Sequence, residues 1–447
     1  MWSLNVPRKP EPRPPPTRLN PTNELHPFDT RLDESDPIYP VNVGDILDER
    51  YEVKARIGER PSYTIWLARD ISLKHDDEPE RYVAIQVCAN NREDDEYHEG
   101  SKYTRKAYQG PVSRGRGIIA TALESFTFES DRDSDHVALV FDIMKNPVWL
   151  LRREITGGEP PGPQALPLIK VYLRTLLQAL DFLHSLRYIH TDLKLEDIML
   201  EMEHLFVIEN LPQQQKVNLL APKCIDCRAV HRYHHDPSGF LGKGAQVSMY
   251  PKMFEPANPQ PEKMSNESEE SARARRLFPI QSEGTRAPEV FFGIGWSYST
   301  DIWNFGIIAW ELLTNSQLFK QDDTNSYSAV QHVADMVALL GPIPPELIAR
   351  EKEMREWELD EKVENPSGRL CKNITEYLGG PFFTDDGKFV GDDLVSRDRV
   401  WENEIPECVP SEEADQFFKF MRRMLCWVPE KRATAEELKD DRWLNGE

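Results

Sequence analysis

His190-Thr191-Asp192-Leu193-Lys194-Leu195-Glu196-Asp197-Ile198-Met199-Leu200 decides how this chain is read. Three carboxylates and one lysine crowd a short stretch that runs into the apolar Ile198-Met199-Leu200. Directly before it, Ile169, Tyr172, Leu173, Leu176, Leu177, Leu180 and Leu183 recur at helical spacing. That period predicts an amphipathic helix over 168–186. Alone, the cluster also fits an ordinary loop behind a core helix, so its surroundings carry the reading.

Upstream, order begins near Val41-Asn42-Val43-Gly44-Asp45, and the period becomes that of strands. Tyr51-Glu52-Val53 and Tyr63-Thr64-Ile65-Trp66-Leu67 are β-rich runs joined by a Gly/Pro turn. Tyr82-Val83-Ala84-Ile85-Gln86-Val87 and His136-Val137-Ala138-Leu139-Val140-Phe141 are two more. Downstream, 299–313 and 414–427 read as apolar helices. A β-rich region followed by a helical one is an α+β architecture. Pro10, Pro12, Pro14, Pro15 and Pro16 with scarce aliphatics make 1–40 an expected disordered tail. The ordered chain divides into 41–144 and 145–447, the latter carrying a long polar insertion around 209–280. Structureless runs of that length are usually functional or disordered.

The 447 residues suffice for one large two-lobed domain with tails and insertions. Lys+Arg 54 against Asp+Glu 76 gives a formal net charge of -22. Such a surface repels nucleic acid and anionic lipid and attracts basic proteins or peptides. Six cysteines do not make a disulfide scaffold at this length. Cys224 and Cys227 with His231, His234 and His235 have zinc-ligand chemistry, but their spacing is too compact for a familiar finger. No apolar run approaches a membrane span. Met1 to Asn20, Pro- and Arg-rich without an apolar core, reads as neither signal peptide nor anchor. The expected location is cytoplasmic or nuclear.

The opening stretch resembles the catalytic loop of protein kinases, His-Arg-Asp-Leu-Lys-x-x-Asn. The resemblance implies that Asp192 accepts the proton of a substrate hydroxyl and that Lys194 stands near the transferring phosphoryl group. Asp197 replaces the Asn and, as a carboxylate, keeps the power to hold Mg²⁺. Three more matches follow in order. Thr285-Arg286-Ala287-Pro288-Glu289-Val290 resembles the end of an activation segment. Asp301-Ile302-Trp303-Asn304-Phe305-Gly306 resembles the start of the helix whose Asp braces the catalytic loop. Pro429-Glu430-Lys431-Arg432 supplies the Arg that the family pairs with the Glu289 position. His-Thr-Asp at 190–192 is similar to the SR-protein kinases, as are Tyr39 to Asp45 leading into Arg50-Tyr51, and His332 to Pro342. The resemblance spans 39 to 444. It implies a two-lobed kinase fold, with a small β-rich lobe and a larger helical one. It also implies ATP and Mg²⁺ as cofactors, and Ser/Thr of basic, Arg/Ser-rich proteins as substrates. With Thr191 in place of Arg, activation by loop phosphorylation loses its counter-ion.

Four departures cut against transfer. Gly58 keeps the first glycine of a phosphate loop, but Arg60 and Tyr63 stand at the second and third, and Pro61 removes a donor. Gln86 stands where Val-Ala-Ile-Lys carries its lysine, and Glu99 is the candidate for that lysine's usual partner. Losing a preorganised charge of that kind costs about 3 kcal/mol in the transition state, roughly 10²-fold in rate. Asp-Phe-Gly is absent, and Cys224-Ile225-Asp226-Cys227-Arg228 is the nearest stand-in, with Asp226 as its metal ligand. Asp197 for Asn is the mildest change. Against these, Ile65, Ala84 and Met199 match an apolar adenine pocket, and Phe141-Asp142-Ile143-Met144 resembles the hinge. The sequence thus expects a serine/threonine kinase-like protein of weak or absent activity; the alternative is a pseudokinase, a binding or scaffold module without transfer.

Overall fold

Alternating side chains give the strands of the first half two unlike faces, and the computed structural model pairs them into one antiparallel sheet. The structure describes residues 40–60, 63–72, 80–88, 110–120, 122–129, 135–147, 157, 159–195, 198–201, 247–249, 280–319, 327–358, 362–365 and 367–446. The tail 1–39, Glu99, Asp197, the Cys224 to His235 cluster with Asp226, and most of 209–280 lie outside them.

The sheet comprises β1 (Ile46–Leu47), β2 (Tyr51–Arg60), β3 (Tyr63–Asp70), β4 (Arg81–Cys88), β5 (Glu124–Glu129) and β6 (Asp135–Phe141), in the order β1-β2-β3-β4-β6-β5. Strand alternation sorts its side chains. Val53, Trp66, Ala68, Val83, Ile85, Val87, Ala138 and Val140 form the core on one face. Ala55, Leu67, Tyr82 and Ile143 pack together on the other, with Ile57 against them. Arg50 clamps two strand ends, bonding Asp70 (2.6 Å) and Glu124 (2.9 Å). Burial pushes the Asp70 carboxyl up, but bonds from Arg50 and Ser72 outweigh it and hold the group at about 2.

A second sheet orders β7 (Met144–Pro147), β8 (Ile198–Glu201) and β9 (Val247–Met249) as β7-β8-β9. β9 lies inside the polar 209–280 segment.

The helical part is built from α1 (Leu166–Ser185), α2 (Pro288–Phe291), α3 (Ser299–Thr314), α4 (Ala329–Leu340), α5 (Pro345–Arg355), α6 (Ile374–Tyr377), α7 (Trp401–Glu404), α8 (Ser411–Arg422), α9 (Ala435–Lys439) and α10 (Arg442–Asn445). The stripe on α1 is buried at Leu173, Leu176, Leu177, Leu180 and Leu183. α3 is buried nearly all round, as a central helix must be. α4 is capped by the Ser328 side chain and ends at Gly341, whose φ of 80° favours glycine. The helix expected over 414–427 is instead α8, which starts earlier and stops at Arg422. The later apolar residues Met424, Leu425 and Trp427 are buried in a turn, fastened by the Trp427 indole donating to the Gly341 carbonyl (3.0 Å). No helix among the described residues is long and apolar enough to cross a membrane.

Candidate active site

The loop 189–195 leaves α1 through Arg187, whose φ is 65°, and is fixed from below by one carboxylate. Asp301, in the first turn of α3, is fully buried. Its Oδ2 accepts from the backbone N–H of His190 (2.8 Å), and its Oδ1 from that of Thr191 (2.9 Å). The His184 ring Nε2 lies 2.9 Å from Oδ2. Charge-assisted bonds of this kind are the strong ones. They hold Thr191 at a φ of 69°, a left-handed conformation uncommon for a β-branched side chain.

The brace delivers Asp192 and Lys194. Lys194 Nζ donates to Asp192 Oδ2 at 2.7 Å. The other oxygen, Oδ1, accepts from both the Ser282 backbone N–H and the Ser282 hydroxyl, each at 2.9 Å. Ser282 escapes sequence reading, because its partner stands 90 residues away. The one signal is its place just before Thr285-Arg286-Ala287-Pro288-Glu289. Gln281 fastens that segment. Its Oε1 accepts from the Ala287 N–H (2.8 Å), and its Nε2 donates to the Thr300 carbonyl (3.2 Å) and to Asn304 Oδ1. Behind it, Arg432 forks onto Glu289 at 2.6 and 2.7 Å. A carboxylate beside an ammonium and a hydroxyl is chemically suited to take a proton from an alcohol near a phosphoryl group.

On the sheet, register aligns Gly58, Ile65, Gln86 and Leu139 in one row across β2, β3, β4 and β6. Directly opposed residues share a face, so Ile65 and Gln86 lie with Leu67 and Ala84, away from the Val83/Ile85 core. Ala84 is buried, while Ile65 and Gln86 are half-buried. Gln86 Nε2 lies 3.8 Å from Cys88 Sγ, so position 86 offers a neutral amide and no cation. Gly58 packs on Ile65: a Cβ there would meet Ile65 carbons at 3.0–3.2 Å. Met144 on β7 pairs with Glu201 of β8, and Met199 of β8 with Pro147. The expected metal ligands Asp197 and Asp226 are outside the described residues.

Comparison with known proteins gives concordant matches. Residues 270–444 match the protein kinase domain family. A serine/threonine protein kinase of Aspergillus fumigatus is 26% identical over 410 residues, covering 91% of this chain and 87% of the relative. The SRPK serine/threonine-protein kinase of Physarum polycephalum is 25% identical over 405 residues, covering 89% and 87%. The crystal structure of a kinase domain superposes with a TM-score of 0.56 at 18% identity, covering 91% of this chain and 99% of that one. This chain therefore carries the two-lobed α+β protein-kinase fold, and its sequence is similar to the serine/threonine protein kinases, the SRPK group among them.

Proposed function

We propose that this chain is a serine/threonine kinase-type protein with weak or absent phosphotransfer, serving as a binding module for basic protein partners. The observation that carries the reading is Gln86. On the face shared with Ile65 and Ala84, where the family sets a lysine, the side chain is a neutral amide lying against Cys88. ATP would rest against Gly58, Ile65, Ala84, Met144 and Met199 with no lysine on β4 to hold its phosphates. Mg²⁺, which neutralises phosphate charge when bound, would fall to Asp197 and one further carboxylate. The net charge of -22 suits basic partners in the cytoplasm or nucleus and disfavours nucleic acid and membrane surfaces.

A second reading, an active serine/threonine kinase on Arg/Ser-rich substrates, is favoured by the intact Asp192–Lys194–Ser282 arrangement. The two are separated by incubating purified protein with ATP, Mg²⁺ and an Arg/Ser-rich peptide, beside Asp192→Asn. Transfer absent, or equally faint in both proteins, supports the module. Robust transfer that Asp192→Asn abolishes overturns it, since Asp192 is the base in that chemistry.

A further inference from the structure

We infer that Asn304 is a positioning residue for Asp192: it fixes the turn 281–285 that seats Ser282 on the carboxylate. It acts from the same face of α3 that braces the loop carrying Asp192. The inference rests on the kinase-type reading of the Asp192 site and adds the device that aims it. Asp301 and Asn304 are both fully buried, and three residues apart they share one side of the helix. Asp301 serves the loop, through the N–H groups of His190 and Thr191. Asn304 serves the facing turn. Its Nδ2 donates to the Thr285 carbonyl (3.3 Å), and its Oδ1 accepts from Gln281 Nε2. An amide can do both at once because its donor and acceptor are separate atoms. One side chain thus grips both ends of the turn, with Ser282 between them.

The backbone shows what these grips hold. Gln281 has a φ of 65° and Thr191 a φ of 69°. Both lie in the left-handed region, uncommon for residues other than glycine unless the surroundings impose it. Each directly precedes one partner of the Asp192–Ser282 contact. Asp301 holds the first partner's approach and Asn304, through the Gln281 side chain, holds the second's. The same side chain is anchored by the Ala287 N–H (2.8 Å) and the Thr300 carbonyl (3.2 Å). Relaxation of Gln281 to a negative φ would turn the chain that follows it. The Ser282 N–H and hydroxyl, each 2.9 Å from Asp192 Oδ1, would then leave that oxygen. With Lys194 on Oδ2 and Ser282 on Oδ1, the carboxylate keeps one orientation. α3 therefore sets both sides of the site from two residues one turn apart.

The test reads the Ser282 amide proton by NMR in full-length protein labelled with ¹⁵N-serine, and needs no phosphotransfer. A hydrogen bond to a carboxylate is stronger than one to a neutral acceptor, so Asp192→Asn shifts this resonance and marks where an unseated Ser282 lies. Asn304→Leu should move the resonance in the same direction. The Ser72 amide, which donates to the Asp70 carboxylate at 3.0 Å on the sheet, should stay in place and report an intact fold. Adding Gln281→Gly to Asn304→Leu should return the Ser282 resonance towards its wild-type position, because glycine keeps a positive φ unaided. Adding Gln281→Ala should not. Should Asn304→Leu fail to fold, Asn304→Ser, too short to span both ends of the turn, takes its place under the same criteria. A Ser282 resonance that stays put in the folded variant overturns the inference. So does a shift that glycine fails to reverse, since Asn304 would then only fill space. Robust phosphotransfer by the wild type would overturn the proposed function instead, and the Ser282 resonance would still report the positioning.

Discussion

Arg432 and Glu289 form a bidentate ion pair with both side chains shut off from solvent. The guanidinium also lies 4.9 Å from the Trp303 ring centroid and donates to the carbonyls of Ser299 (2.9 Å) and Cys426 (3.1 Å). This one side chain thus joins the end of the activation-type segment, the start of α3 and the 426–432 turn.

Arg432→Met should accordingly destabilise the protein by about 3–5 kcal/mol, because it leaves the Glu289 carboxylate buried and unpaired. Adding Glu289→Leu should recover part of the loss, the rest being the two orphaned carbonyls. Urea denaturation midpoints measure both. A single mutant as stable as wild type would mean that Glu289 finds another partner or water.

Asp301→Asn should loosen the catalytic-type loop without unfolding the domain. An amide offers one acceptor where the carboxylate satisfies two backbone N–H groups, and its NH₂ opposes the other. The cost should be about 1–3 kcal/mol. Amide hydrogen exchange should accelerate at His190 and Thr191 well before it does in α3. Unchanged exchange there would show that Thr191 keeps its φ of 69° without the brace.

These two anchors were legible in the sequence because each lies in a contiguous motif whose residue types are chemically unusual. Asp192 with Lys194, Glu289 behind Ala-Pro, Asp301 before Ile-Trp and Arg432 after Pro-Glu-Lys all announce themselves locally. Strands β2, β3, β4 and β6 were equally legible, since β-branched and aromatic residues concentrate there. Ser282 was not, because its bond to Asp192 joins residues 90 apart and leaves no local pattern. β9 was not either: Val247-Ser248-Met249 is too short to show a period inside a polar segment. The end of α8 was misread for the converse reason, as Met424, Leu425 and Trp427 keep helix-like spacing while packed in a turn.

Acid should find a weak point at His332. Its ring packs 4.8 Å from that of Phe319 and 5.1 Å from that of Phe291, and its Nδ1 lies 3.3 Å from the Tyr327 hydroxyl, which donates to the Glu283 carbonyl. Burial, aided by the Arg286 charge, pushes its pKa down to about 3. The unfolded chain takes up the proton near pH 6.5, while the folded protein refuses it until about pH 3. Stability is therefore full above pH 6.5 and falls through that window as the pH drops, by up to ~1.4 kcal/mol per unit from this group. His332→Phe, which keeps the aromatic packing, should flatten the curve between pH 6.5 and 5, above the range where most carboxylates titrate. Identical slopes in the two proteins would show that His332 is protonated in the folded state.

The sharpest expectation concerns Gln86. Its row-mates Gly58 and Ile65 place it beside the loop where phosphates would lie, and the amide supplies no charge there. A lysine at this position would supply the counter-charge to a triphosphate that the neutral amide lacks. Gln86→Lys should then raise the affinity for an ATP analogue by at least about tenfold, roughly 1.4 kcal/mol. The gain should shrink with added salt, since a half-exposed charge contact is screened. Folding stability should change little, because Gln86 is only half-buried and its contact with Cys88 at 3.8 Å is weak. Equilibrium binding and urea denaturation on the same preparations separate these effects. An affinity unmoved by the substitution in a stably folded protein would place the defect in the phosphate loop, where Arg60, Pro61 and Tyr63 replace the small residues that let backbone N–H groups approach phosphate.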